Sequence, residues 1–177
     1  MSEVIVWGDV ETTGLDAKKD FLLEIAVLVT DLDLNILDDT GYHAYVSHIK
    51  EIVYNRANDY VREMHTTSGL WDKLGDGSKH TWEIDTELLE YIQQFAPGQR
   101  TARLAGNSVR LDANFFDSWL PKTANHLHYR ILDVSSIAFE ADIRDIPLFP
   151  KAGTHEAMTD IRESIEELRY LRKELYQ

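Results

Sequence analysis

The chain opens on a short apolar, β-branched run, Val4-Ile5-Val6-Trp7, and a longer one spans Phe21 to Thr30. Apolar runs of this length predict buried strands. Tyr42, Ala44 and Val46 then alternate with His43, Tyr45 and Ser47, which is the period of a half-buried third strand. Between about residues 50 and 79 polar and aromatic positions mix, and Gly69, Gly75 and Gly77 punctuate them, so short helices and loops are predicted there.

From Asp85 the pattern turns helical, with Leu88, Leu89, Ile92 and Phe95 on one face and Pro97-Gly98 as the stop. Ala102 to Ala105 reads as a short strand, and Leu111, Phe115, Phe116 and Trp119 predict a further helix before Pro121. Tyr129 to Asp133 makes a fifth strand, followed by a loop rich in breakers from Ile146 to Gly153. Met158, Ile161, Ile165, Leu168 and Leu175 then recur at helical spacing, with Arg162, Glu163, Glu166 and Arg169 on other faces. No repeat, linker or low-complexity segment interrupts this order, so one α/β domain over residues 1–177 is expected, a mixed sheet covered by helices.

Composition narrows the class. A chain of 177 residues is long enough to bury a core. With 44% hydrophobic and 28% charged residues and few glycines and prolines, it is neither disordered nor fibrous. The absence of cysteine excludes disulfides and thiolate metal sites, so any metal must be held by Asp, Glu or His. The segment Met1 to Asp9 carries no basic region and too short an apolar run for a signal peptide or membrane span, and a cytoplasmic location is the expectation. A net charge of −13 argues against a long polyanion gripped through many phosphates. A short substrate suffers less, and a bound cation would reverse the local field.

Asp9 and Glu11 follow the first strand run, and if the extended geometry continues, period two puts both carboxylates on one face. Acid pairs at this spacing recur in the chain, at Asp31 and Asp33, Glu83 and Asp85, and Glu140 and Asp142, and each reads most simply as solvated surface. The first pair differs because it stands at a strand end and runs into the turn Thr12-Thr13-Gly14-Leu15-Asp16, where buried charge needs a partner. Asp112 opens a helix after a strand and turn, which by itself is ordinary helix-terminus chemistry. His155 and Asp160 stand at the start of the terminal helix, where a regular helix would separate them by roughly 140°. If Thr154 caps that helix, His155 sits in the first turn and its imidazole can lean toward a site that Asp160 reaches from the next turn. Together the four carboxylates suit two divalent cations, Mg²⁺ or Mn²⁺, and the histidine a base that deprotonates water.

These residues match a known family. The chain resembles the DEDD exonucleases of the His-containing subgroup, and most closely the oligoribonucleases, on blocks in one order across nearly its whole length. The blocks are Trp7 to Asp16, Leu28 to Asp31 with Leu34 to Leu37, Met64-His65 with Ser68-Gly69-Leu70, Ala105 to Ser108, His128 to Ser135, and His155 to Ser164. The first and last mark the broad exonuclease class, whereas His128-Tyr129-Arg130 with Asp133-Val134-Ser135 is particular to oligoribonucleases.

The resemblance implies an RNase H-like fold with a mixed five-stranded sheet flanked by helices. It implies two metal ions on Asp9, Glu11, Asp112 and Asp160, with His155 as general base, and 3′→5′ hydrolysis of very short RNA, down to dinucleotides, to nucleoside 5′-monophosphates. It also implies a homodimer in which Tyr129 approaches the partner's active site. Carried over by position, Leu15 wedges between bases, Tyr60 stacks on one, and Ser108, Arg130 and Ser135 cap the 5′ phosphate. The chain departs from the family at Gly8, where an aliphatic residue is usual, at Thr12 in place of methionine, and at Tyr60, often tryptophan. It also lacks the basic and aromatic segment common before the last motif, at Phe139 to Pro150. Two rival readings share the same residues: a proofreading or DNA-repair exonuclease on single-stranded DNA, and a catalytically silent domain that binds short nucleotides.

Overall fold

Alternation along the first strand decides how the layers form. In β1 (Val4–Thr12), Val4, Val6 and Val10 pack into one apolar cluster while Ile5 and Trp7 pack into another, because successive side chains leave a strand on opposite faces. The computed structural model describes residues 3–151 and 156–175. Among these, β1 lies at the centre of a five-stranded sheet with β2 (Leu22–Thr30), β3 (Tyr42–Tyr45), β4 (Ala102–Gly106) and β5 (His128–Asp133), in the order β3-β2-β1-β4-β5. The β3-β2-β1 half is antiparallel, and β4 and β5 run parallel to β1. The predicted mixed α/β sheet is therefore present.

Short helices α1 (Lys50–Arg56), α2 (Asp59–Thr67) and α3 (Leu70–Lys73) fill the region expected to hold short helices, and Val53, Leu70 and Trp71 pack them on Leu23. One face of the sheet is covered by α4 (Thr81–Phe95), α5 (Arg110–Trp119) and α6 (Pro121–His126), through residues such as Ile84, Leu88, Ile92, Phe115 and Phe116. The other is covered by α7 (Val134–Asp142) and α8 (Ala157–Leu175), whose Ile161, Ile165, Leu168 and Leu171 lie on Ile5, Trp7 and Leu28. Full burial of each such aliphatic side chain is worth about 1.5–3 kcal/mol. Trp7 is fully buried and its indole N–H donates to Thr30 Oγ1 at 3.0 Å, so its polar atom is satisfied inside the core.

Two helices were not predicted. Pro121 reads as a stop, yet it occupies the first turn of α6, where its fixed φ and missing N–H do no harm. Helix α7 follows β5 with no intervening loop, and the side chain of Asp133 caps it by accepting from the Ser135 N–H at 3.0 Å. Helix α4 starts at Thr81, ahead of the expected Asp85, because Glu83 accepts from the His80 N–H at 2.9 Å and stabilises a polar first turn. No helix among the described residues is long and apolar enough to cross a membrane.

At Gly8 the packed core leaves no room for a side chain. A Cβ on Gly8 would stand 2.9 Å from Leu104 Cδ1 and 3.3 Å from Phe116 Cζ, so these two side chains occupy the space an aliphatic residue would need.

Candidate active site

Strand β1 runs through Thr12, so Asp9 and Glu11 share the face of Ile5 and Trp7, the face that α8 covers. Asp160 lies in the first turn of α8, with its N–H donating to Glu156 O at 3.0 Å. Oxygens of Asp9, Glu11 and Asp160 consequently lie within 4.8 Å of one another. Asp112, in the first turn of α5, stands beside this set, and its Oδ1 accepts the N–H of Val10, the peptide between the two β1 acids, at 3.1 Å. Four carboxylates expected to meet are thus brought to one end of β1. His155 falls outside the described residues.

Crowding of like charge perturbs these acids. Burial pushes Asp9 well above the usual carboxylate range, and Asp112, Glu11 and Asp160 push it further. Glu11 is raised to about 8, by burial first and then by the charges of Glu24, Asp160 and Asp112. Asp112 is raised to about 7 by burial, against the opposing effect of the backbone N–H groups it accepts. Among the described residues no lysine or arginine forms a salt bridge with Asp9, Glu11 or Asp112. Carboxylate oxygens gathered this closely have the donor chemistry of a hard divalent cation site, which fits Mg²⁺ or Mn²⁺.

Two residues that sequence reasoning did not single out flank Glu11. Glu24 is its direct partner across the antiparallel register, is buried, and bonds to His43 Nε2 at 2.6 Å. His65 is fully buried, with Nε2 donating to Thr12 O at 2.9 Å and Nδ1 3.7 Å from Glu11 Oε2. An acid inside an otherwise apolar strand was the available signal for Glu24. For His65 it was only the Met64-His65 pair within a family block.

A cavity of about 500 Å³ adjoins the acids. Glu11, Thr12, Leu15, Tyr60, Arg56 and Asn58 are among its lining residues. Leu15 is 78% and Tyr60 71% exposed, more than core packing would allow.

On another side, Ser108 and Ser135 come together. The Ser108 N–H donates to Ser135 Oγ at 2.9 Å and to Asp133 Oδ1 at 3.1 Å, and the Ser135 hydroxyl donates to Asn107 Oδ1 at 3.0 Å. Arg130 does not join them: its guanidinium lies over the Tyr129 ring, 5.5 Å from the centroid. Tyr129 is 73% exposed on the edge strand β5 and lines a separate cavity of about 340 Å³ with Arg100, Arg110 and His128.

A family model described as exonuclease matches residues 6–168. The oligoribonuclease of Leifsonia xyli subsp. xyli is 46% identical over 177 residues, covering 97% of this chain and 84% of that one. A probable oligoribonuclease of Schizosaccharomyces pombe is 37% identical, covering 97% of this chain and 68% of that one. Among solved structures, exonuclease I from Methylocaldum szegediense superposes with a TM-score of 0.70 at 18% identity. The match covers 98% of this chain but only 41% of that one, so it speaks for the RNase H-like fold alone. With the acid-lined end of β1, the exonuclease model and the near full-length relatives in agreement, the chain belongs to the exonuclease family and, within it, to the oligoribonucleases.

Proposed function

We propose that the chain, as a single domain over residues 1–177, hydrolyses very short single-stranded RNA from the 3′ end to nucleoside 5′-monophosphates. In this reading Asp9, Glu11, Asp112 and Asp160 hold two divalent ions, Mg²⁺ or Mn²⁺. The observation that carries it is the gathering of Asp9, Glu11 and Asp160 oxygens within 4.8 Å, with Asp112 tied to the peptide between the β1 acids. When bound, the ions would supply Lewis acidity and charge neutralisation for an in-line attack on the phosphodiester.

The chain's own groups divide the remaining work. His155 accepts the proton of the attacking water, a role typically worth ~10²–10⁴ in rate. The Val10 N–H fixes one oxygen of Asp112 and leaves the other directed by that bond. Tyr60 stacks on the terminal base beside Leu15, in the cavity that Glu11 also lines, and such stacking contributes ~1–3 kcal/mol per base. Ser108 presents its hydroxyl to the 5′ phosphate, Ser135 joins it by turning its own hydroxyl from Asn107 Oδ1, and Arg130 joins them by side-chain rotation away from Tyr129, closing the far end against longer chains.

The same reading includes a homodimer in which Tyr129 of one subunit completes the partner's site. Its support is the exposure of this ring on an edge strand, lining a cavity that the acids do not line. A cytoplasmic location belongs to the proposal as well.

The deciding experiment offers purified protein a 5′-phosphorylated diribonucleotide and a twenty-nucleotide single strand under equal Mg²⁺. Faster loss of the dinucleotide is expected. Faster loss of the long strand would replace this reading with a proofreading or repair exonuclease.

A further inference from the structure

We infer that Arg56 and Asn58 make the terminal-base cavity selective for keto bases, guanine and uracil, over the amino bases adenine and cytosine. The inference deepens the short-RNA reading above and rests on it. Both side chains line the cavity with Leu15 and Tyr60, and neither is explained by metal binding or by the phosphate cap.

Arg56 is the last residue of α1, and its Nε–H donates to Asp20 Oδ1 at 2.7 Å. The other oxygen of Asp20 accepts the Asp16 N–H at 2.9 Å, and the carboxylate packs so closely on Gly14 that a Cβ there would stand 2.5 Å away. Asp20 is therefore a fixed anchor with both oxygens engaged. Tying Nε to it restrains the guanidinium plane, while the two Nη groups make no hydrogen bond among the described residues. They are free to donate to a ligand.

Asn58 adds a donor of the same kind. Its Oδ1 accepts the Val61 N–H at 2.9 Å as the N-cap of α2, and this bond decides which way the amide faces. Nδ2, which can only donate, is left for a ligand. Arg56 and Asn58 thus offer donors; of the two carboxylates that line the cavity, Asp20 has both oxygens engaged and Glu11 belongs to the proposed metal-binding set.

In the inferred pose a base stacked on Tyr60 turns its edge to these donors, which line the same cavity. Guanine carries the O6 and N7 acceptor pair that suits a guanidinium fork, and uracil carries O4, whereas adenine and cytosine place exocyclic amino donors there. A donor facing a donor leaves both unpaired, so the site discriminates by mismatch as well as by contact. A bidentate contact of this kind discriminates roughly five- to hundredfold, and because the Arg56 side chain is 41% exposed the lower end applies.

The test measures kcat/KM on four diribonucleotides that share a 5′-phosphorylated adenosine and differ only in the 3′ base. Guanine over adenine and uracil over cytosine, each by about five- to tenfold, are the expected results. Asn58→Asp keeps an oxygen for the Val61 cap while exchanging the donor for an acceptor, so it should move both ratios toward the amino bases. Arg56→Leu should lower the guanine-to-adenine ratio. If Arg56 served only to brace Asp20, that variant would slow all four substrates together and leave the ratios intact. Equal kcat/KM for all four in the wild type, or unchanged ratios in both variants, overturns the inference and leaves the exonuclease reading standing. Release of mononucleotide from none of the four overturns both.

Discussion

The Oδ1 of Asp112 accepts the backbone N–H of Val10 at 3.1 Å, joining the start of α5 to the strand that carries Asp9 and Glu11 across 102 positions of sequence. This bond orients a buried carboxylate without neutralising it. Asp112→Asn keeps an oxygen for Val10 and removes the charge. Turnover should fall by on the order of 10²–10³. The thermal midpoint of the metal-free protein should not fall, because relief of like-charge crowding offsets any small loss of packing. Activity assays paired with thermal unfolding in chelator check both halves, and wild-type turnover in this variant would remove Asp112 from the site.

Metal-free stability should decline as pH rises. Folding lifts Glu11 to about 8 and Asp112 to about 7, and raises Asp9 in the same direction, from ordinary values near 4 in the unfolded chain. Between those limits the folded state binds more protons than the unfolded state, so stability is full below about pH 4 for these groups and is lost up to about pH 8. Divalent cations binding the deprotonated acids reverse the loss. Addition of Mn²⁺ should therefore raise the melting temperature more at pH 8 than at pH 5.5. A metal-induced shift independent of pH would contradict the assignment.

His155→Ala should lower turnover by ~10²–10⁴ while leaving Mn²⁺ affinity intact, since the proposal gives His155 a proton and not a metal. Titration calorimetry alongside the rate assay separates the two roles, and weakened metal binding would make His155 a ligand.

Tyr129→Ala should reduce activity on a diribonucleotide without dissociating the protein. Sedimentation reports the assembly state and a rate assay the activity. A fully active variant, or a wild type that sediments as a monomer, would remove the ring from a partner's site.

Gly8→Val should destabilise the fold by about 1–3 kcal/mol, because its Cβ would meet Leu104 and Phe116 in a filled core. Combining it with Phe116→Leu, which returns volume on the same face, should recover part of the loss in denaturant unfolding. A single variant as stable as the wild type would show that this face has room.

The acid pair of β1 was legible because alternation is local: Asp9 and Glu11 continue the parity of Ile5 and Trp7. The strand order of the sheet was not, and neither was the placement of Glu24 opposite Glu11, since register depends on which faces bury together over long separations. Helices α6 and α7 were missed for a different reason. One begins at a proline that also reads as a terminator, and the other leaves its strand without a turn and exposes Phe139, so neither shows a clean apolar stripe.

By itself the sequence determined the alternating and helical patterns, the restriction of any metal to Asp, Glu or His ligands in a cysteine-free chain, and the family through its ordered blocks. Tertiary structure alone decided that Asp160 reaches the β1 acids, that Asp112 is held by Val10, that Arg130 rests on Tyr129 in place of the serines, and that Arg56 and Asn58 share a cavity with Tyr60. The division has one physical cause. Side-chain periodicity is set by neighbouring dihedrals, whereas the meeting of distant residues is set by how whole faces pack to exclude water.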